Sequence, residues 1–307
     1  MSITRNSSFE LLRLVLMLMI VIHHSIVHGL GLSALSESYN SELIIKPSQM
    51  LIACSIHAFC ICAVNCFVLI SGYFGIKTTL KKVLFLVISI FIYTLLFSVI
   101  PLAAAGELKK AIYNCLFLSH SKYWFVIDYL FLMIFTPMIN LAFETLPKRK
   151  TDIIIIGLLF ISCYFGWLWG HVANANGYTL LQFILMYSVG RRFKYSNISL
   201  STSKSLGLYV ACSLLAGIVM WYLWHLGFNS RAWQITLYNN PLIICSAIGL
   251  FLLFKNFDIH SGIINTVAKG AFGIYLFQSS VIISQLQYGF INRIGTQEMY
   301  FGGGGFI

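Results

Sequence analysis

Residues 9–30 read FELLRLVLMLMIVIHHSIVHGL, and this stretch decides the fold class. Apart from Glu10 and Arg13 near its start, it is apolar as far as two adjacent histidines. Its length matches the roughly 20 residues that a helix needs to cross a bilayer. It is too long for a signal peptide, and no small-residue cleavage pattern follows it. We therefore interpret it as a transmembrane helix.

Apolar runs of the same kind recur along the chain. Of the 307 residues, 59% are hydrophobic and only 9% are charged, whereas a soluble domain carries about 25% charged residues. Lipid must therefore solvate this chain, and long unbroken runs favour helices over the short alternating strands of a barrel. We predict an all-α, polytopic transmembrane helix bundle with about nine or ten spans, from runs at residues 9–30, 50–74, 83–104, 123–143, 153–169, 179–189, 206–226, 241–254 and 271–288. The sixth and eighth runs are short. We expect one transmembrane domain over residues 1–290 and an irregular or truncated tail over residues 291–307.

The basic residues indicate the orientation of the chain. The net charge is +11, but the lysines and arginines cluster in short loops, which is typical of topology signals rather than of nucleic-acid binding. With a cytoplasmic N-terminus, the cytoplasmic loops hold the larger set: Lys77, Lys81, Lys82, Lys148, Arg149, Lys150, Arg191, Arg192, Lys194, Lys204 and Lys255. The opposite loops hold Lys46, Lys109, Lys110, Lys122 and Arg231. The inner clusters could also contact anionic lipid or a phosphate-bearing substrate.

Several common sites are not indicated by the sequence. The eight cysteines lie in or beside apolar runs, and none has the spacing to histidine that zinc requires, so we interpret them as small buried hydrophobes. The chain has no glycine-rich phosphate loop, no His-Glu-x-x-His and no Gly-x-Ser-x-Gly elbow. We expect neither a metal nor a bound cofactor.

Polar residues share one face of the first helix. Glu10 and Arg13 are three residues apart and can pair, and His24 follows Arg13 by three turns, about 16 Å along the axis. His28 lies one turn beyond His24, whereas His23 points about 100° away. Ionisable groups inside a span indicate function, so this stripe favours a lined cavity. Alternatively, Arg13 snorkels to the headgroups and His24 bonds within the bundle.

Two further ionisable residues lie at a similar depth. Asp128 could orient His24, as a carboxylate orients a catalytic imidazole, or it could pair with Lys122. His57 could be a histidine satisfied within the core, or it could be a catalyst. Both readings stay open for each residue.

Further motifs follow in a fixed order, and together they resemble a known family. FELLR ends at Arg13, and His24 follows after ten intervening residues. The segments NCFVLISGYF at 65–74, YWF at 123–125 with Tyr129, PMIN at 137–140 and FGIYL at 272–276 come next. In this order the chain resembles membrane acyltransferase family 3, the bacterial polysaccharide O-acyltransferases. The resemblance extends from residue 5 to about residue 288.

The resemblance implies roles for individual residues. It implies that His24 is the catalytic histidine and that an acyl-CoA, typically acetyl-CoA, is the donor substrate; Asp128 stays the candidate catalytic partner by its position in the span alone. It also implies that Arg13 helps to hold the donor and that the basic residues after the second span, here Lys77 and Lys81, contact it. From charge and position we add Glu10, Arg191 and Arg192 on the donor side, and we expect His57, Trp124, Tyr129 and Tyr275 on the acceptor side. The chain departs from the family pattern in having lysines where arginines usually follow the second span, and Gln278 where a histidine often stands.

These expectations define a function and its alternatives. We expect acyl transfer, with acetyl as the default, from a cytoplasmic acyl-CoA to a hydroxyl of a cell-surface glycan or its lipid-linked precursor. His24 would act as general base or transient acyl carrier. The expected location is the bacterial cytoplasmic membrane, with glycan and lipid as partners. The alternatives are a transporter or flippase that relays protons through His24 and Asp128, and a scaffold without a cavity at His24.

Overall fold

The computed structural model describes residues 6–36, 42–116 and 123–301, and within these ranges the chain is helical and has no strands. Its α-helices are α1 (Ser7–His24), α2 (Met50–Ile61), α3 (Ala63–Phe74), α4 (Leu80–Thr94), α5 (Ile100–Ala104), α6 (Leu108–Cys115), α7 (Trp124–Thr145), α8 (Lys148–Phe160), α9 (Leu180–Ser196), α10 (Thr202–His225), α11 (Asn229–Gln234), α12 (Pro241–Lys255), α13 (Gly262–Val267), α14 (Ala271–Gln278) and α15 (Val281–Phe301). Turns of π-helix extend three of them, at Ser25–Gly29, Leu95–Val99 and Ile161–Leu168.

The all-α transmembrane class predicted from the sequence is confirmed. Six helical segments are long and apolar enough to cross a membrane: Ser7–Gly29, Pro47–Phe74, Leu80–Ala104, Trp124–Thr145, Lys148–Leu168 and Thr202–His225. A seventh span results if Gly262–Gln278 and Val281–Gly295, which meet at 82°, cross together. All nine predicted runs are helical, but the two short ones correspond to α9 and α12, of 17 and 15 residues. Length and composition therefore support six or seven spans among the described residues, rather than nine or ten.

The C-terminal helix is longer than expected. The sequence predicts an irregular tail from residue 291, whereas α15 continues to Phe301. The rest of that tail, residues 302–307, lies outside the described residues, as do Arg5 and Lys122.

Helix α1 lies inside the bundle, where it packs against α2, α3, α12, α13 and α14. Asn6 caps its first turn, because the side-chain oxygen accepts from the backbone N–H of Ser8 at 3.0 Å and of Phe9 at 3.4 Å. One face of the helix is fully buried at Leu12 and Leu16. This burial fixes the rotation of α1 and so decides which of its side chains face the neighbouring cavity.

Helices α3 and α9 form the tightest contact of the core. A Cβ atom added to Gly72 would lie 2.1 Å from the backbone oxygen of Tyr187, and one added to Gly190 would lie 2.4 Å from the backbone oxygen of Leu69. Only glycine allows the two backbones to approach so closely, as is common between membrane helices. This contact positions α3, which contributes one wall of the cavity.

A buried network of amide side chains connects this core to the segment that precedes α9. The amide nitrogen of Gln182 donates to Asn65 Oδ1 at 3.2 Å and to the backbone oxygen of Tyr238 at 3.0 Å. Its amide oxygen accepts from Ser162 Oγ at 2.6 Å, and Asn239 Nδ2 donates to the backbone oxygen of Asn174 at 2.6 Å. The network satisfies polar groups that lipid could not satisfy, and it holds Tyr238 in place.

Candidate functional site

A cavity of about 860 Å³ lies between α1, α3, α7, α14 and α15. Glu10 and Arg13 line one end of it, and His24 and His28 line the other. These residues come from one helix, so the cavity follows α1 for about three turns, or about 16 Å. The polar stripe predicted from the spacing along α1 therefore lines a cavity rather than facing lipid. We call the two ends the Arg13 end and the His24 end.

An ion pair marks the Arg13 end. Arg13 Nη1 donates to Glu10 Oε1 at 2.5 Å, as their three-residue spacing predicts. The Glu10 side chain is 7% exposed and that of Arg13 is 31% exposed, so the carboxylate anchors a guanidinium that still reaches the cavity. The guanidinium carbon also lies 5.9 Å from the centre of the Phe74 ring. Lys269, which is exposed, lines the same end, so two cations meet there with one buried anion.

Hydroxyl and aromatic groups form the middle of the cavity. Ser71 on α3 and Tyr129 on α7 have their hydroxyl oxygens 3.2 Å apart. The ring of Phe125 stacks on that of Tyr129 with centroids 5.9 Å apart, and it lies 5.8 Å from the ring of Tyr275 on α14. The middle is thus largely apolar, with a few hydroxyls that can bind an amide or hydroxyl of a ligand.

The His24 end is built where α1 passes into a π-helical turn. The Gln278 amide nitrogen lies 3.1 Å from His24 Nδ1, and Gln278 is the last residue of α14. The ring of His28 lies 5.7 Å from the ring of His24 and 5.3 Å from that of Tyr288 on α15. Helix α14, far from α1 in the sequence, therefore contacts the imidazole predicted to be catalytic, and α15 reaches the same end through His28.

A second pair of histidines, His23 and His57, lies at the cavity wall. His23 lines the cavity, and its Nδ1 lies 3.0 Å from Nδ1 of His57, so one ring donates and the other accepts. His57 is fully buried and stacks on Trp233 with centroids 5.7 Å apart. His57 supports His23 from outside the cavity, whereas His23 itself reaches the lining.

Aromatic rings line the cavity beside the start of α7. The ring of Trp124 lies 4.6 Å from that of Tyr178 and 5.5 Å from that of Tyr238, and the two tyrosine rings are 4.7 Å apart. All three line the cavity. Aromatic faces of this kind are suited to the apolar faces of sugar rings, and their polar edges can bond hydroxyls.

The comparisons with known proteins now decide the family. The family model described as an acyltransferase domain, acyltransferase family 3, matches residues 6–301, nearly the whole chain. The chain belongs to acyltransferase family 3. No curated protein and no solved structure matches it significantly. Family membership and the apolar helices together make it a multi-pass membrane protein of an acyl-transferring family.

Within this acyltransferase, several predicted site residues line the cavity and others do not. Those that line it are Glu10, Arg13, His24, Trp124, Tyr129 and Tyr275. His57 stands one layer behind, as described above. Asp128 does not line the cavity, and among the described residues no hydrogen bond or ion pair joins it to His24. An orienting role of Asp128 toward His24 therefore stays a prediction without a contact behind it, since on α7 it is Tyr129 that lines the cavity. Lys122, its alternative partner, lies outside the described residues.

Two of the predicted donor contacts have structural partners instead. Arg191 is 8% exposed, and its guanidinium donates to the hydroxyl of Tyr195 at 2.9 Å and packs against Gly75. Arg192 pairs with Asp152, with 2.5 Å from Nε to Oδ1. Neither lines the cavity, so both hold α9 in place. Lys77 and Lys81 are exposed and lie beyond the end of α3.

Several residues of the site were not singled out for it from the sequence, among them Lys269, Gln278 and the three tyrosines Tyr178, Tyr238 and Tyr288. Lys269 stands three residues before the FGIYL segment, and a cation just before an apolar run could have been noticed there. Gln278 was treated as a departure from the family pattern, although it makes the direct contact with His24. For metals, the described residues contain no group of three or more His, Cys, Asp or Glu that could hold an ion.

Proposed function

We propose that this membrane acyltransferase transfers an acyl group, acetyl by default, from acyl-CoA to a hydroxyl of a cell-surface glycan or its lipid-linked precursor. One observation carries the proposal. A single cavity of about 860 Å³ has the Arg13 cation at one end and the His24 imidazole at the other. An acyl-CoA donor also has two distinct ends, so its phosphates would lie at the Arg13 end of the cavity and its thioester at the His24 end.

The Arg13 end supports binding of the donor phosphates. Arginine binds phosphate with its planar fork, and Glu10 uses only part of that fork in the 2.5 Å ion pair. Lys269 supplies a second positive charge at the same end. Lys77 and Lys81 remain candidates for outer contacts with the nucleotide, because both are exposed. The middle would then hold the apolar arm that carries the thioester toward His24.

The transfer step uses His24 as a general base. His24 accepts the proton of the acceptor hydroxyl on a ring nitrogen while the hydroxyl oxygen bonds to the acyl carbon. The carbon–sulfur bond then breaks, and the leaving thiolate takes up the proton from the imidazolium and departs as the thiol. A histidine suits both transfers because its usual pKa lies near neutrality, and general-base action contributes about 10²–10⁴-fold to the rate.

The acceptor is proposed to bind at the His24 end. Trp124 and Tyr178 supply ring faces for a sugar, and the exposed His28 and Tyr288 supply polar groups beside the reacting hydroxyl. His57 would act through His23 rather than by touching the acceptor. The excess of basic residues in the loops on the side of the Arg13 end supports a cytoplasmic position for that end. We therefore propose the bacterial cytoplasmic membrane with a cytoplasmic N-terminus.

Labelled acyl transfer tests the proposal directly. Purified protein in detergent is incubated with radiolabelled acetyl-CoA and a crude glycolipid extract, and label in glycolipid is measured for wild type, His24→Ala and His260→Ala. His260 is a matched control because its side chain is 84% exposed in a loop. We expect label with wild type and His260→Ala, and a loss of at least about 100-fold with His24→Ala.

Two results would contradict the proposal. Normal labelling with folded His24→Ala protein would remove His24 from the mechanism. Substrate-dependent proton flux in liposomes without any acyl donor would favour the transporter instead. A scaffold is disfavoured by the structure, since the cavity reaches His24.

A further inference from the structure

Gln278 lies at the sharpest bend of the bundle. It ends α14, and α15 leaves at 82° from a break of two residues. The side chain is buried, with the residue 4% exposed, and its amide nitrogen lies 3.1 Å from His24 Nδ1. Broken helices inside membrane proteins commonly carry binding groups at the break. Here the break brings one amide to the ring nitrogen of the proposed base.

The bend is held on both sides, so the contact does not depend on a mobile side chain alone. The backbone N–H of Val281 donates to Ser98 Oγ at 3.1 Å. Further along α15, Gln287 Nε2 donates to Ser25 Oγ at 2.8 Å, and Ser25 directly follows His24. Two hydrogen bonds from α15 therefore tie the bend to α1 and to the π-helical turn after α4.

A bond at Nδ1 decides which nitrogen of His24 can act as a base. A neutral imidazole carries its proton on one nitrogen and a lone pair on the other. If the Gln278 amide N–H donates to Nδ1, the proton is on Nε2 and the ring offers no lone pair there. If the amide oxygen accepts from Nδ1–H, Nε2 carries the lone pair. Only the second arrangement makes Nε2 the base.

The amide of Gln278 can adopt the second arrangement by turning over. The two ends of an amide are interchangeable in shape, and the hydrogen-bond partners decide between them. In the orientation with nitrogen toward His24, the amide oxygen is buried without a partner among the described residues. Turning the amide over gives this oxygen the Nδ1–H of His24 as its donor. Since no other described group bonds the amide oxygen, the protonation of His24 sets its direction.

We propose that Gln278 is the positioning residue of the acyl transfer, accepting Nδ1–H of His24 through its amide oxygen and so leaving Nε2 to take the acceptor proton. This inference rests on the proposed function. The same bond persists when Nε2 gains the proton and the ring becomes an imidazolium, so Gln278 holds the ring in one orientation through the step. Gln278 thus takes the orienting role that the sequence suggested for Asp128.

An amide differs from a carboxylate in this role because it has no negative charge. A carboxylate favours the charged imidazolium strongly, whereas an amide oxygen favours it only through one hydrogen bond. The other titratable groups that line the cavity with His24 are His23, His28, Tyr129, Tyr178, Tyr238, Tyr275 and Tyr288. The ion pair of Glu10 and Arg13 and the Lys269 cation lie at the opposite end. All of these stay the same when Gln278 alone is changed.

Two substitutions of Gln278 separate orientation from packing. Gln278→Leu keeps the approximate volume and removes the acceptor, so kcat for acyl transfer should fall about 10–100-fold, as for other residues that orient a reacting group. The KM for acyl-CoA should stay within about 2-fold, since the donor phosphates bind at the other end. Gln278→Glu keeps the acceptor, so kcat should recover to within about 10-fold of wild type, and the acid limb of the kcat profile should move to higher pH.

The matched control is Gln285→Leu, because Gln285 is an exposed glutamine of α15 that does not line this cavity. It should keep the wild-type kcat and pH profile. An independent readout is the ¹⁵N spectrum of histidine-labelled protein in detergent, in which the His24 signal, assigned by its loss in His24→Ala, should report protonated Nδ1 in wild type. In Gln278→Leu this preference should be lost.

The outcomes are distinguishable from failure of the proposed function. Wild-type kcat and pH profile in folded Gln278→Leu protein would overturn the inference while leaving acyl transfer intact. Gln278→Glu protein as inactive as Gln278→Leu, or a His24 signal with the proton on Nε2, would also overturn it. Absence of acyl transfer by wild type would refute the proposed function itself, and the ¹⁵N spectrum would still test the bond.

Discussion

Replacing Gly190 with alanine tests the packing that positions the cavity. The added Cβ would lie 2.4 Å from the backbone oxygen of Leu69 and 2.8 Å from the backbone nitrogen of Tyr73. Both are backbone atoms, and ordinary contacts begin near about 3.5 Å, so α3 and α9 would have to separate by about 1 Å. Overpacking of this kind costs about 1–3 kcal/mol. We expect the upper part of that range, because neither helix can move without disturbing a buried neighbour.

The control is Gly207→Ala on α10, where no atom lies within 4 Å of the added Cβ. Alanine at such an exposed helical position stabilises by about 0.5–1 kcal/mol. The two glycine-to-alanine changes should therefore shift the unfolding free energy in opposite directions. Thermal unfolding of the detergent-solubilised proteins, followed by tryptophan fluorescence, gives the comparison. Equal midpoints for the two variants would refute the close approach of α3 and α9.

The other predictions concern single contacts. Arg13→Ala should raise the KM for acyl-CoA about 10-fold or more, because a hydrogen bond to a charged group contributes about 1.5–3 kcal/mol. The control Arg231→Ala, at an exposed site, should leave this KM unchanged. Equal KM values for Arg13→Ala and wild type would exclude Arg13 from donor binding. Asp128→Asn should keep kcat within a few-fold of wild type, since Asp128 does not bond His24. A fall in kcat as large as that of His24→Ala would instead support an orienting role for Asp128. Gln182→Leu should lower the unfolding free energy by about 1–3 kcal/mol, because its buried partners lose their hydrogen bonds. Chemical denaturation in detergent measures this free energy, and a value equal to that of wild type would contradict the network.

The parts of the site that follow from local periodicity were predictable. Glu10, Arg13 and His24 lie on one helix, so residue spacing alone places them on one face, and the pairing at 2.5 Å and the shared cavity agree with it. The apolar runs likewise predicted the helices, because a helix that crosses the bilayer needs about 20 apolar residues in succession. These features depend on neighbours within about three turns, and no tertiary information is needed for them.

The parts that depend on long-range packing were not predictable from one sequence. Gln278 contacts His24, which lies 254 positions earlier in the chain. The bend that brings the two residues together contains no proline, so the sequence gives no local signal of it. The sequence gives the depth of Asp128 along its span, but depth does not determine how α7 is rotated about its axis, and so it does not show which side chains face the cavity. That rotation is set by burial of Val126 and Leu132, and it turns Tyr129 to the cavity.

The two arginines near the C-terminal end of α9, Arg191 and Arg192, illustrate a third limit. Charge clusters at helix ends signal orientation, donor binding or structural pairing with the same residue types. Arg192 pairs with Asp152, with 2.5 Å between Nε and Oδ1, because α8 and α9 pack side by side. A sequence without its contacts cannot distinguish this pairing from a phosphate site.

The π-helical turn Ser25–Gly29 also limits how the chain length can vary. Its ring closes from the N–H of Leu30 to the oxygen of Ser25 at 3.0 Å, one residue more than an α-helical ring. Removing one residue between His24 and His28 would turn this wide ring into an ordinary α-helical turn and would move His28 to a different position around the helix axis. The ring of His28, now 5.3 Å from that of Tyr288, would swing away from α15. A single deletion in this turn should therefore be far less tolerated than any substitution within it, and family members that keep the contact should keep the residue count from His24 to Leu30.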